Sequence, residues 1–326
     1  MINTFVFSNN FNLSSYFFKI LSSYIKKEYK ENLKQVIINI KNENFEKLIN
    51  YFKPDKITYE SILFYTKEIE PLKEISKSDY FILLFDNIND LNNELQKLKQ
   101  RDLEILSNFL NSKNFKKQNK YLQPDIENII KIIEQDQLEL EKFIYYNTHL
   151  EELITSLALS YLKKSLFIID SKVDKIESNL TKANLFRTLF IPISIIAELI
   201  DLKDLEFIQF FKEFELNYLI PIENLNSLTQ EKLVNFIVNL ILDNILKYWV
   251  IFYTGNKKEV KAYLITRGKT VLDASYKIHT EIGKNFISAL VCNINDLKDS
   301  KFPLYQNYGK SYIVQDHDYL SIKTNS

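Results

Sequence analysis

Ile2-Asn3-Thr4-Phe5-Val6-Phe7, then Ser8-Asn9-Asn10-Phe11-Asn12, then Ser15-Tyr16-Phe17-Phe18-Lys19-Ile20-Leu21: the opening of the chain decides the fold class. The first run is short, apolar and β-prone, the second is a polar turn, and the third places apolar residues at helical spacing. Strand, turn, helix is the order in which α/β domains of the nucleotide-binding kind begin. Later segments repeat the theme. Val36–Ile40 is a strand candidate, and Phe45–Phe52 a helix that stops before Pro54, because Pro disfavours helix in the residue preceding it. Ser61–Tyr65 and Tyr80–Phe85 read as further strands, the second a continuous apolar run of the kind buried on both faces in a parallel sheet.

From Ile88 to about Lys164 the character changes. Leu91, Leu95, Leu98, Leu103, Leu106 and Leu110 recur among charges, and Gln123–Leu162 does the same around Pro124. The spacing predicts a long helical segment, an antiparallel pair interrupted by the polar loop Asn111–Asn119. Strand signals return at Ser165–Asp170 and Leu189–Ile193, and helical spacing at Asp204–Phe214 and Gln230–Lys247. The last stretch is turn-rich and strand-rich, with strand candidates at Val260–Ile265, Phe286–Cys292 and Ser311–Val314. The expected architecture is an α/β domain over 1–87 and 165–250, a helical insert over 88–164, and a small α+β domain over 251–326.

Composition narrows the function. The chain has 326 residues, 46% of them hydrophobic and 14% aromatic, enough to fill cores and to argue against disorder. Forty-two basic residues balance 42 acidic ones, which excludes a globally basic polyanion binder. One Cys excludes a disulfide scaffold and a Cys-cluster zinc site. No long uncharged apolar stretch predicts a membrane span, and the N-terminus lacks a basic n-region, so a cytoplasmic protein is expected. The four glycines are Gly255, Gly268, Gly283 and Gly309, and residues 1–254 contain none. Gly-rich phosphate loops need positive φ and close backbone approach to the phosphates. A working P-loop, a Rossmann fingerprint and a kinase Gly-rich loop are therefore not expected.

The tail is recognisable as a pattern. Phe252-Tyr253-Thr254-Gly255, Glu259–Tyr263, Ile278-His279-Thr280, Phe286-Ile287, Ala289-Leu290-Val291, Asp296-Leu297 and Gly309-Lys310-Ser311-Tyr312-Ile313-Val314-Gln315-Asp316-His317-Asp318 follow in order. This resembles the C-terminal TGS-like (β-grasp) domain of the Obg-like ATPase (YchF) family. The resemblance extends more weakly over the whole chain and implies a P-loop-GTPase-like domain with a helical, coiled-coil-like insert. The family has Gly between the last two acids, so with His317 there the turn is expected to use another geometry. The family's P-loop aligns with Ser8–Ser15, where Ser8 and Leu13 stand for the glycines and Ser14 for the phosphate-binding Lys. Ser15 matches the Mg²⁺-binding hydroxyl. Phe45–Pro54 resembles the family's helix ending in Lys-Pro. The switch II Asp-x-x-Gly reads Thr66-Lys67-Glu68-Ile69, and the base-recognition Asn-x-x-Glu reads Ser171-Lys172-Val173-Asp174. Pro192-Ile193-Ser194 resembles the Pro-x-Ser-Ala loop that supports the base.

By this resemblance the vestigial nucleotide-binding residues are Ser15, Ser171, Asp174 and Ser194, with no catalytic residue and no metal ligand. Each charge-assisted hydrogen bond to phosphate contributes about 1.5–3 kcal/mol. Losing the Lys and the loop conformation costs several kcal/mol, roughly three decades of affinity. No NTPase activity and no cofactor is expected, residual ATP with Mg²⁺ being the alternative. The family implies a partner in the ribosome or rRNA, met through the TGS-like domain and the helical insert. Residues 251–326 carry eleven basic against seven acidic side chains, a net of +4 beside a body of −4, which is compatible with RNA contact. Nothing signals DNA or a membrane. Two rivals stay open: a residual nucleotide switch, and a scaffold for protein partners outside translation.

Other constellations read more plainly. Cys292 sits in an alternating strand as a structural thiol, and His149, His279 and His317 are too scattered for a metal site. Asp170 and Asp174 beside Lys172 read as solvated charges at a strand end. The Leu91–Leu110 spacing closes a helical hairpin, and Lys26-Lys27, Lys116-Lys117 and Lys257-Lys258 are solvated faces.

Overall fold

The computed structural model describes residues 1–8, 10–30, 33–67, 71–112, 122–135, 154, 156–157, 159–171, 187–214, 216, 228–297 and 302–325. Glu68, Ile69, Lys116, Lys117, His149, Lys172, Val173 and Asp174 lie outside the described residues, as does the loop expected beyond Ser112. In chain order the elements are β1 (Ile2–Ser8), α1 (Phe11–Tyr24), β2 (Gln35–Asn39), α2 (Glu43–Phe52), β3 (Lys56–Thr58), β4 (Ser61–Tyr65), α3 (Pro71–Lys77), β5 (Tyr80–Phe85), α4 (Ile88–Asn111) and α5 (Gln123–Gln135). Then come β6 (Ser165–Ile169), β7 (Thr188–Phe190), α6 (Ile193–Leu199), α7 (Asp204–Glu213), α8 (Gln230–Leu246), β8 (Trp249–Gly255) and β9 (Glu259–Thr266). The last are α9 (Val271–Ile278), α10 (Thr280–Lys284), β10 (Phe286–Asn293), β11 (Gln306–Tyr308) and β12 (Asp318–Thr324).

The first sheet runs β2-β4-β1-β5-β6-β7, parallel except for β2. Its central strand β5 is buried at every position, as a continuous apolar run in a two-face-covered sheet demands. The edge strand β2 instead alternates exposed and buried residues. Asparagine does the capping: Asn10, Asn42 and Asn87 each accept a backbone N–H at the start of α1, α2 and α4. Helix α2 ends on Lys53 in the left-handed region (φ 44°) just before Pro54.

One face of this sheet packs under α1, α6 and α8, with Phe17, Leu21, Ile196, Ile237 and Ile241 in a common core. The other carries Phe5, Phe81, Leu83 and Phe167 against Leu91, Leu95, Leu98 and Leu106 of α4 and Ile126, Ile129 and Ile133 of α5. Asp102 sits fully buried in the leucine row of α4 and accepts the N–H groups of Ser160 (3.0 Å) and Tyr161 (2.8 Å). This corrects the helix expected up to Leu162: Ser160–Leu162 form a turn whose amides bond to a carboxylate instead of to a preceding helical carbonyl. The strand expected over Leu189–Ile193 ends at Phe190, and α6 starts at Ile193 after Pro192, whose ring presets a helix entry.

The second sheet runs β11-β10-β12-β8-β9-β3. Its last member comes from far upstream: β3 pairs in parallel with β9, Lys56 opposite Glu259 and Thr58 opposite Lys261. One face packs on α9 through Val250, Phe252, Val271, Ala274 and Leu320. The other is continuous with the first core, Tyr253, Ala262, Leu264 and Tyr319 joining Phe45 and Leu48 of α2. Two expectations are corrected here. Ser311–Val314 is a turn with one isolated bridge, Ile313 to Thr270, while the strand is Asp318–Thr324. And His317 does not impose a different turn: it takes φ 66°, the conformation a glycine would favour.

Candidate functional site

In open α/β sheets ligands bind outside the carboxyl ends of the strands, where strand order reverses. Here β1 lies between β4 and β5, so the crevice is bordered by Ser8, Asp86, Asp170 and the starts of α1 and α6.

Asn10 organises the α1 side. Its N–H donates to Ser8 Oγ (3.1 Å), its Oδ1 accepts from Asn12 N–H (3.0 Å), and its carbonyl accepts from Leu13 (3.2 Å) and Ser14 (3.4 Å). Its Nδ2 donates to Asp86 Oδ1 (2.9 Å), tying the turn to the end of β5. Phe11–Ser15, most of the stretch that resembles a P-loop, is therefore helix, and the amides of Asn12, Leu13 and Ser14 already have acceptors. Ser15 is half-buried in the second turn of α1.

Asp170 organises the β6 side. Its N–H donates to Phe85 O (2.8 Å), and its Oδ1 accepts the N–H of Ser194 (3.1 Å). Pro192 offers α6 no side-chain cap, so the Asp170 carboxylate serves in its place. Burial raises the Asp170 pKa, the bonds from Ser194 oppose this, and the Asp86 charge adds to it. Ser171 is half-buried beside it, its N–H bonded to Ile169 O (2.8 Å). The structure thus places Ser15, Ser171 and Ser194 on neighbouring elements at one edge, and Asp174 lies outside the described residues. Reading the sequence missed Asn10 and Asp86. An Asn before a helical run is the signal that could have found Asn10, since Asn is a preferred cap.

Where the resemblance puts switch II, Lys67 donates to Glu74 Oε2 of α3 (2.9 Å), and Lys67 holds the Glu74 carboxyl low. Elsewhere, burial pushes the Cys292 thiol up to about 12, as suits a structural thiol, and His279 Nδ1 accepts the N–H of Glu281 (3.2 Å) as a helix cap. No helix among the described residues is long and apolar enough to cross a membrane.

Comparison with known proteins agrees with this frame. Residues 249–325 match the family model described as YchF-GTPase_C, Protein of unknown function (DUF933). The chain is 29% identical over 272 residues to the Ribosome-binding ATPase YchF of Buchnera aphidicola subsp. Schizaphis graminum (strain Sg), spanning 74% of this chain and 70% of that protein. Obg-like ATPase 1 of Caenorhabditis elegans is 38% identical over 82 residues, 23% of this chain and 21% of that one. Among solved structures, the Schizosaccharomyces pombe YchF GTPase superposes with a TM-score of 0.63 at 18% identity, over 99% of this chain and 97% of that one. A GTP binding protein from Pyrococcus horikoshii OT3 gives 0.56 at 15% identity, over 99% and 100%. These two likenesses show the α/β mixed-sheet fold. The matched C-terminal residues and the relatives make this chain similar to the YchF/Obg-like family.

Proposed function

We propose that this protein is a ribosome-associated binding module built on a nucleotide-binding scaffold whose phosphate site has lapsed. The relative from Buchnera is named a ribosome-binding ATPase, which supplies the partner. The observation that carries the loss of phosphate binding is Asn10. A phosphate loop works by turning backbone N–H groups and a Lys toward the anion. In this reading the Asn10 side chain and carbonyl hold the amides that would do so, and Asp86 sets a carboxylate beside them. Ser14 stands where the Lys would be, and Ser15 keeps a hydroxyl at the Mg²⁺ position. These residues do not suit a triphosphate, and no catalytic step is assigned to them. The ribosome contact falls to the basic residues 251–326 and to the helices between β5 and β6, and its site of action is the cytoplasm.

Co-sedimentation with ribosomes, with and without ATP and Mg²⁺ over a range of salt, tests the reading. Pelleting that ATP does not alter is expected. Failure to pellet at every salt concentration would overturn the association.

A second reading, a residual nucleotide switch, draws on the crevice lying at the strand-order reversal with Ser15, Ser171 and Ser194 around it. It requires Ser15→Ala to weaken nucleotide binding.

A further inference from the structure

A second concave site lies at the opposite edge of the first sheet. Between the amino ends of its strands and helix α9 is a cleft of about 530 Å³, within the range of ligand pockets. Trp249 lies in its lining, Lys269, Tyr276 and Lys277 on the α9 side, and Glu60 and Asp79 on the side of the first sheet. The Tyr276 ring is 47% exposed and has no ring or hydrogen-bond partner among the described residues. Its inner face is fixed, because the ring lies so close to Gly283 that a Cβ there would sit 2.4 Å from it. Only glycine lets the ring lie against α10 in this way, and the outcome is an aromatic platform with its other side exposed. Lys277, next to it, is exposed. The acids opposite are partly committed: Glu60 pairs with the Met1 amino group, and Asp79 Oδ2 accepts the N–H of Asn3 (2.8 Å). Asp273, also at the cleft, is engaged by Thr270 in a capping box.

We propose that this cleft binds a nucleotide unit, with the base stacked on Tyr276, the phosphate against Lys277 and the ribose hydroxyls donating to Asp79. An anion without hydroxyls would meet Glu60 and Asp79 unfavourably, and a simple cation would meet Lys269 and Lys277. A ligand with a flat ring, a negative end and hydroxyl donors satisfies every wall. Base–aromatic stacking tolerates any base, so the site reads the class of ligand and not its sequence. The unit can be a free mononucleotide or one residue of single-stranded RNA. The cleft is distinct from the crevice at Asn10 and does not depend on ribosome association, which pelleting tests separately.

Trp249, the single tryptophan of the chain, gives a built-in probe. Its emission is titrated with AMP, UMP and a single-stranded RNA octamer. Saturable change is expected, weakened about tenfold or more by Tyr276→Ala and retained in Tyr276→Phe. Lys277→Ala should lower the slope of log affinity against log salt for the RNA octamer by about 0.7. Equal affinity for mononucleotide and octamer identifies the free ligand, and tighter octamer binding identifies the strand. Emission unmoved by any of these at millimolar concentration would overturn the proposal. So would wild-type affinity in Tyr276→Ala, or an unaltered salt slope in Lys277→Ala.

Discussion

His317 holds a backbone conformation that costs an L-residue roughly 1–2 kcal/mol, and three ties hold it there. Its N–H donates to Ile251 O (2.8 Å), its carbonyl accepts from Ile294 N–H (3.0 Å), and its Nδ1 meets the Tyr253 hydroxyl at 2.9 Å, the rings stacked at 15°. The flanking acids complete the turn, Asp316 accepting Ile251 N–H (2.8 Å) and Asp318 accepting Gln315 N–H (2.8 Å) and Tyr312 OH (2.9 Å). Replacing His317 therefore separates strain from anchoring. His317→Ala loses the ring ties and keeps the strain, whereas His317→Gly loses both. In urea unfolding both variants should fall below wild type, and the Gly variant should exceed the Ala variant by about 1 kcal/mol. An Ala variant as stable as the Gly variant would mean that the turn stores no strain. The sequence pattern of the tail was legible down to these acids; the geometry at His317 was not, because residue type alone does not reveal the partners that hold a strained turn.

At the scale of elements, α4 is fastened to the turn that precedes β6 by one carboxylate. Asp102 is buried, and burial pushes its pKa up to about 6 against the bonds from Ser160 and Tyr161 and the charge of Arg101 (3.3 Å). The ordinary unfolded value is about 3.9. With the folded value raised, the folded state holds the extra proton, so this contribution to stability is present below pH ~4 and is lost as pH rises toward 6. Asp102→Asn should abolish that slope. It should also cost about 1–3 kcal/mol at neutral pH, since an amide cannot accept all those N–H groups. Unfolding followed at pH 4, 5 and 6 checks both, and an unchanged slope in the variant would remove Asp102 as its source. The apolar runs of β4, β5 and β6 and the leucine row of α4 were readable because burial demands them. The three-residue β3 was not, since Lys56-Ile57-Thr58 is largely exposed and owes its strand form to pairing with β9, some two hundred residues on. In the candidate site, Ser15, Ser171 and Ser194 could be located from strand ends, yet the helix start at Phe11 depends on what Asn10 bonds to, which periodicity does not encode.

Across the whole molecule, the second sheet is bound into the first body and is not an appendage. Phe45 of α2 stacks on Tyr253 at 5.5 Å, and the Tyr253 hydroxyl donates to Asn42 Oδ1 (2.8 Å), the residue that caps α2. Burial raises the Tyr253 pKa, which keeps its phenol neutral and able to donate over the ordinary range of pH. Ligand binding to either part is therefore expected to register in the unfolding of the whole. That makes thermal unfolding, with and without ATP, ADP and GTP each with Mg²⁺, the direct test of a scaffold whose phosphate site has lapsed. A nucleotide at 100 times its dissociation constant would stabilise by about 2.7 kcal/mol and raise the midpoint by roughly 2–4 °C or more. With Tyr276→Ala as the background, which weakens the cleft at α9, the account predicts no shift at millimolar nucleotide that depends on Ser15. A shift with ATP in that variant, removed by Ser15→Ala, would contradict it.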